Sequence, residues 1–161
     1  MDNDAKSVFY RLLEKYKESK SEADFSNLML NAWITIESYI NNLYLEGLGV
    51  NPFFVEKDIK HNELVAELEN TRFEDKLRFI VKKKIITNKQ EEGIRSFQHE
   101  RNRLFHASKK NNVWSKLYNR AEQQRLIDIA KLAFDIIWEV VTKYYRSKYP
   151  LPDGKDLEDF M

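Results

Sequence analysis

Ala121–Arg146, AEQQRLIDIAKLAFDIIWEVVTKYYR, sets Ile127, Ala130, Phe134, Ile137, Val141 and either Tyr144 or Tyr145 at helical spacing. Residues three and four apart share one face of a helix, so this run predicts a long amphipathic helix with a single buried stripe. Such a helix is stable only when other elements cover the stripe, which makes a helical bundle the natural fold. Asn119 followed by Glu122 gives capping-box spacing where the helix should start.

The same pattern extends outward from this segment. A helix over about Lys6 to Ser19 lines up Val8, Phe9, Leu12, Leu13 and Tyr16. Ser21 and Asp24 have capping spacing, and the following run places Phe25, Leu28, Met29, Ala32, Ile36, Ile40 and Leu43 on one face before Gly47 stops it. Gly49 to Glu56 reads as loop, with one or two helical turns around Leu64, Val65 and Leu68. A third helix is expected over Phe73 to Lys84, with Leu77, Ile80 and Val81 inward. Asn88 and Glu91 then suggest the cap of a fourth, which carries Ile94, Phe97 and Leu104 to about Ala107. Ser108 to Asn112 is polar and reads as loop. No strand-like alternation is sustained, and Gly47 and Gly49 with Pro52, then Pro150 and Pro152 with Gly154, cluster where the helical pattern fails. The expectation is an all-α, up-and-down bundle of four to five main helices. It fills one domain over residues 1–147, with an acidic, flexible C-terminal tail over 148–161.

Composition narrows the function. The 27 Lys and Arg nearly cancel the 26 Asp and Glu, so no global field draws the chain to nucleic acid, and any such contact must be local. With no cysteine there are no disulfides, thiolate metal sites or thiol nucleophiles, which fits a reducing cytoplasm. Met1-Asp2-Asn3-Asp4 does not read as a signal peptide, and no apolar run is long enough to span a bilayer. Scattered glycines provide neither a phosphate-cradling loop, a dinucleotide fingerprint nor a nucleophile elbow.

Chemistry concentrates in Arg101-Asn102-Arg103-Leu104-Phe105-His106, at the end of the fourth long helix. Phosphodiester cleavage needs a group that moves protons and a fixed positive charge on the phosphate oxygens. Arginine is permanently charged and clamps phosphate with two parallel hydrogen bonds, so Arg101 is the candidate stabiliser. His106 is the candidate for proton transfer; helix-end carbonyls favour its charged form and neighbouring arginines oppose it. Asn102 lies one turn before His106, about 40° away around the helix, and is an orienting group.

This segment resembles the signature of the HEPN superfamily, in which an Arg, a polar residue that is usually Asn, and a His a few residues on close the penultimate long helix. The long second helix with an internal acidic residue and the long closing helix match that layout too, so the resemblance covers about residues 6 to 147. It implies a metal-independent endoribonuclease that uses no cofactor and cleaves by attack of the ribose 2′-hydroxyl, leaving a cyclic phosphate. It also implies a homodimer acting as a toxin or antiviral-defence effector, with an antitoxin or other regulatory protein as a further partner. One departure concerns the tyrosine that toxins of this kind commonly carry two residues after the motif histidine. Ser108 stands there, so modification at that position is not expected.

Helix geometry points to an assembly as well. Arg101 and His106 are five residues apart, about 140° around an ideal helix, so one straight helix does not aim both at one phosphate. Either the helix end bends or two copies meet across a two-fold axis.

Other candidates are weaker. Glu37, beside Trp33-Ile34-Thr35-Ile36, either supports Arg101 or His106 or simply faces solvent. Arg103, Lys109 and Lys110 are candidate RNA contacts, while Lys82-Lys83-Lys84 reads as a solvated face. His99 and His106 are seven residues apart on nearly one face, but no Asp or Cys joins them at ligand spacing, so no metal site is expected. A non-catalytic HEPN-like module that binds a nucleotide or a protein is the alternative function.

Overall fold

The computed structural model describes residues 4–50, 59–107 and 119–149, and the side chains of all of these except 59–61 and 105–107. These residues form six helices and no strand: α1 (Ala5–Ser19), α2 (Glu22–Gly47), α3 (Ile59–Asn70), α4 (Phe73–Lys82), α5 (Asn88–Ala107) and α6 (Arg120–Lys148). No helix among them is long and apolar enough to cross a membrane.

Local chemistry sets the boundaries. The Asp4 carboxylate accepts from Ser7 N at 2.7 Å to open α1, and Lys20, in the left-handed region at φ 54°, closes it by donating its N–H to Tyr16 O. Ser21 caps α2 as expected, accepting from Asp24 N. The cap of α5 lies one residue earlier than the Asn88 reading. Thr87 Oγ1 accepts from Gln90 N while Gln90 Oε1 accepts from Thr87 N, a reciprocal box that makes Asn88 the first helical residue. The helix expected to reach Lys84 ends at Lys82, because Lys84 turns left-handed at φ 60° and Ile85 N–H returns to Ile80 O. The turn or two expected around Leu64 is the 12-residue α3, whose apolar signal is faint because Val65 is exposed and Leu64 and Leu68 are only half-buried.

Directions follow from the side chains that meet. Tyr16 pairs with Gln123 and Tyr10 with Asp135, each at 2.6 Å, so α1 and α6 run antiparallel. Tyr39 packs on Trp138 and Glu46 bonds Lys148, so α2 and α6 run parallel. Gly93 faces Ile136 and Arg103 meets Glu122, so α5 opposes α6. The four long helices therefore alternate up and down, and α4 lies alongside α2 through the Trp33–Phe73 and Tyr44–Phe79 contacts.

The core is one cluster centred on Phe9, Leu28, Ile36, Phe97 and Phe134, all buried, with Phe9 and Phe134 stacked at 4.3 Å. Each such side chain contributes about 1.5–3 kcal/mol on burial. The stripe expected on the last helix is buried, Tyr145 inward and Tyr144 half-buried. That helix also continues past the expected domain boundary at 147. Lys148 Nζ donates to Glu46 at 2.6 Å, and the Tyr149 hydroxyl bonds the same carboxylate at 3.0 Å. The remainder of the acidic tail, 150–161, lies outside the described residues.

Candidate active site at the end of α5

Three contacts hold α5. Ile94 and Phe97 are buried against the core, and Gly93 lets α6 approach so closely that a Cβ there would collide with Ile136 Cδ1. The third is a ring of four charges. Arg103 donates to Glu100 at 2.9 Å and to Glu122 at 2.8 Å, and Arg125 donates to both carboxylates in turn. Hydrogen bonds from Arg125 and then Arg103 hold both carboxyls below their ordinary range, Glu122 at about 2. The ring ties the last turns of α5 to the first turns of α6, just where the two helices bracket the connection over 108–118.

Arg101 continues the inward face of Ile94 and Phe97. Its guanidinium lies 4.6 Å over the ring of Trp33, which is 8% exposed and has Phe73 at 5.1 Å and Phe97 at 6.0 Å around it. Nη1 of Arg101 donates to Asn102 Oδ1 at 3.1 Å. With its carbonyl turned to the guanidinium, the Asn102 amide keeps its NH₂ as a donor, so two neighbouring donor groups occupy one end of the bundle. Such a pair suits an anion with several acceptor oxygens.

Arg101 and Asn102 thus stand together, whereas Arg103 is engaged by Glu100 and Glu122 and its charge is balanced there. His106 occupies the last turn of α5, but its side chain lies outside the described residues, as do Lys109, Lys110 and Ser108. Glu37 is half-buried one turn along α2 from Trp33. Its electrostatic partner is Lys76, whose ammonium sits buried against Asn41 at 2.8 Å; burial lowers the lysine's pKa and Glu37 opposes that. His99 is exposed beside Glu92, Arg95, Ser96, Glu100 and Ile129, which line an open groove of about 560 Å³ between α5 and α6. Among the described residues no three His, Asp or Glu side chains cluster in a way that could hold a metal ion.

Trp33 is the site residue that sequence reading missed. Its spacing of four from Glu37 places both on one side of α2, and that was the available signal. Comparison with family models, curated proteins and solved structures finds no match for the chain.

Proposed function

We propose that the chain is a HEPN-type, metal-independent RNA endonuclease, acting as a homodimer in toxin or antiviral-defence biology. The observation that carries this reading is the Arg101–Asn102 pair. A guanidinium already ordered on Trp33, with an amide donor beside it, stands at the end of α5 one turn before His106. Preorganised donors of this kind stabilise charge that builds on phosphate oxygens in the transition state.

In the proposed reaction the ribose 2′-oxygen gives up its proton and attacks phosphorus. The O2′–P bond forms, the P–O5′ bond breaks, and the 5′-oxygen takes a proton. Arg101 binds the non-bridging oxygens, Asn102 orients them, and His106 moves protons. Because Arg101 and His106 are about 140° apart on a helix, the cleft is composite, with a second copy completing it. Arg103 serves this site by fixing α5 through the charge ring rather than by touching RNA; Lys109 and Lys110 keep the RNA-guiding role.

A second reading, a nucleotide- or protein-binding module without catalysis, draws on the balanced charge of Arg103, which leaves fewer cations to track a backbone. Incubation with RNA in chelator separates the two. The nuclease reading expects cyclic-phosphate ends from wild type, with Arg101→Ala and His106→Ala slowed about 10²–10⁴-fold. RNA bound and left intact by the wild-type protein would favour the module.

A further inference from the structure

Lys82, Lys83, Lys84 and Lys89 stand exposed around the turn that joins α4 to α5. We propose that the acidic segment 150–161 of the same chain docks on these lysines and screens them from nucleic acid. The docking surface lies at the far end of α5 from Arg101, and the docking holds whether or not the chain cleaves RNA.

Charge on this turn is unbalanced. Lys15, Lys17, Lys131 and Lys148 each meet a carboxylate, whereas none of the four turn lysines does so among the described residues. Lys83 rests its ammonium over the Phe79 ring at 5.5 Å, a contact that leaves the charge uncancelled. Lys89 stands in the first turn of α5, where the helix dipole already favours anions, and the acid of that turn, Glu91, is engaged by Arg95. Four like charges so placed raise a local positive potential in a chain whose totals nearly cancel. The counterpart is in the sequence: residues 150–161 carry Asp153, Asp156, Glu158 and Asp159 against Lys155.

The end of α2 brings the two together. A Cβ on Gly47 would meet Phe79 Cε1 at 2.6 Å and Ile85 Cδ1 at 3.5 Å, so α2 ends against the turn, beside the residue that follows Lys84. Glu46, next to Gly47, accepts from the Tyr149 hydroxyl at 3.0 Å, so the last described residue leaves from the same corner. A helix is about 10–12 Å across and an extended chain of this length spans about 40 Å, so residues 150–161 reach every lysine of the turn. The corner also shows which occupant it suits. Leu48, which follows Gly47, is 42% exposed. A phosphate backbone buries no apolar area on it, whereas the segment intersperses Leu151, Leu157 and Phe160 among its acids.

Carbodiimide coupling, which joins a carboxylate directly to an amine in contact with it, tests the docking in the full chain. Peptide mapping should place links from Asp153, Asp156, Glu158 and Asp159 on Lys82, Lys83, Lys84 or Lys89, and about 1 M salt should suppress them. In an equilibrated mixture of ordinary and isotope-labelled chains, each linked pair of peptides should be wholly light or wholly heavy. Three results each overturn the proposal: no links, links spread evenly over Lys6, Lys143 and the turn, or links joining light peptides to heavy ones, which would assign the segment to a second copy.

Screening is read with oligo-dT, a single strand without the 2′-hydroxyl that the proposed cleavage needs. Asp153→Asn, Asp156→Asn, Glu158→Gln and Asp159→Asn together should tighten its binding at least about fivefold in about 50 mM salt and steepen the salt dependence. Adding Lys82→Gln, Lys83→Gln and Lys84→Gln should remove that gain, whereas adding Lys6→Gln and Lys143→Gln should leave most of it. Equal binding by wild type and the neutralised segment, or a gain that survives loss of the turn lysines, would overturn the proposal.

Discussion

Glu100 and Arg125, 25 residues apart in the sequence, meet in a two-pronged ion pair, Nη1 to Oε1 at 2.9 Å and Nη2 to Oε2 at 3.1 Å. Arg103 and Glu122 close the ring, so the end of the helix carrying the candidate site is stapled to the helix that follows it. Exposed pairs contribute little singly, but a two-pronged geometry within a network is the arrangement in which they count.

The ring predicts an acid-sensitive stability. Glu122 is held at about 2, below its ordinary 4.5, so its contribution is fully present above about pH 4.5 and is lost as pH falls towards 2. Glu100 is shifted the same way. Glu122→Gln should therefore melt at a lower temperature than wild type at pH 7 and lose less between pH 5 and pH 2. Thermal melts across that range check this; parallel curves for the two proteins would show that the ring contributes nothing.

Lys148→Met tests the closing contact of α6. The Glu46 side chain is 1% exposed and would lose its charged donor while keeping the Tyr149 hydroxyl. Leaving a buried carboxylate short of a charged donor should cost about 1–3 kcal/mol in urea unfolding, while Lys143→Met on the exposed face of the same helix should be nearly neutral.

The four long helices were legible because each buries a stripe: Ile127 to Tyr145 and Phe25 to Leu43 declare themselves by spacing alone. Helix α3 was not, since its described residues are mostly exposed and form no buried stripe that spacing could reveal. The cap of α5 was misplaced by one residue because Thr87–Gln90 and Asn88–Glu91 carry the same spacing, and only the bonds formed distinguish them. At the site, the neighbours of Arg101 within α5 could be read from sequence. Trp33, and the partners that claim Arg103 from α6, come from other helices and depend on how those helices pack.

The proposed composite cleft predicts a dependence on assembly. Leu30 and Ile34 are exposed one turn apart on α2, beside Trp33, so a second copy crossing this end of the bundle would cover them. Ile34→Glu should shift sedimentation towards monomer and depress cleavage, with the helical content unchanged because the side chain is 56% exposed. A monomer that cleaves at the wild-type rate would refute the shared cleft.

The central claim is that Arg101 of one copy and His106 of another serve the same phosphate, and coexpression of Arg101→Ala with His106→Ala chains tests it most directly. Each variant alone should be inactive on RNA. Random pairing makes about half the dimers mixed, each with one intact site of two, so the mixture should recover up to about a quarter of wild-type cleavage. A mixture as inactive as its parents, beside an active wild type, would contradict the account.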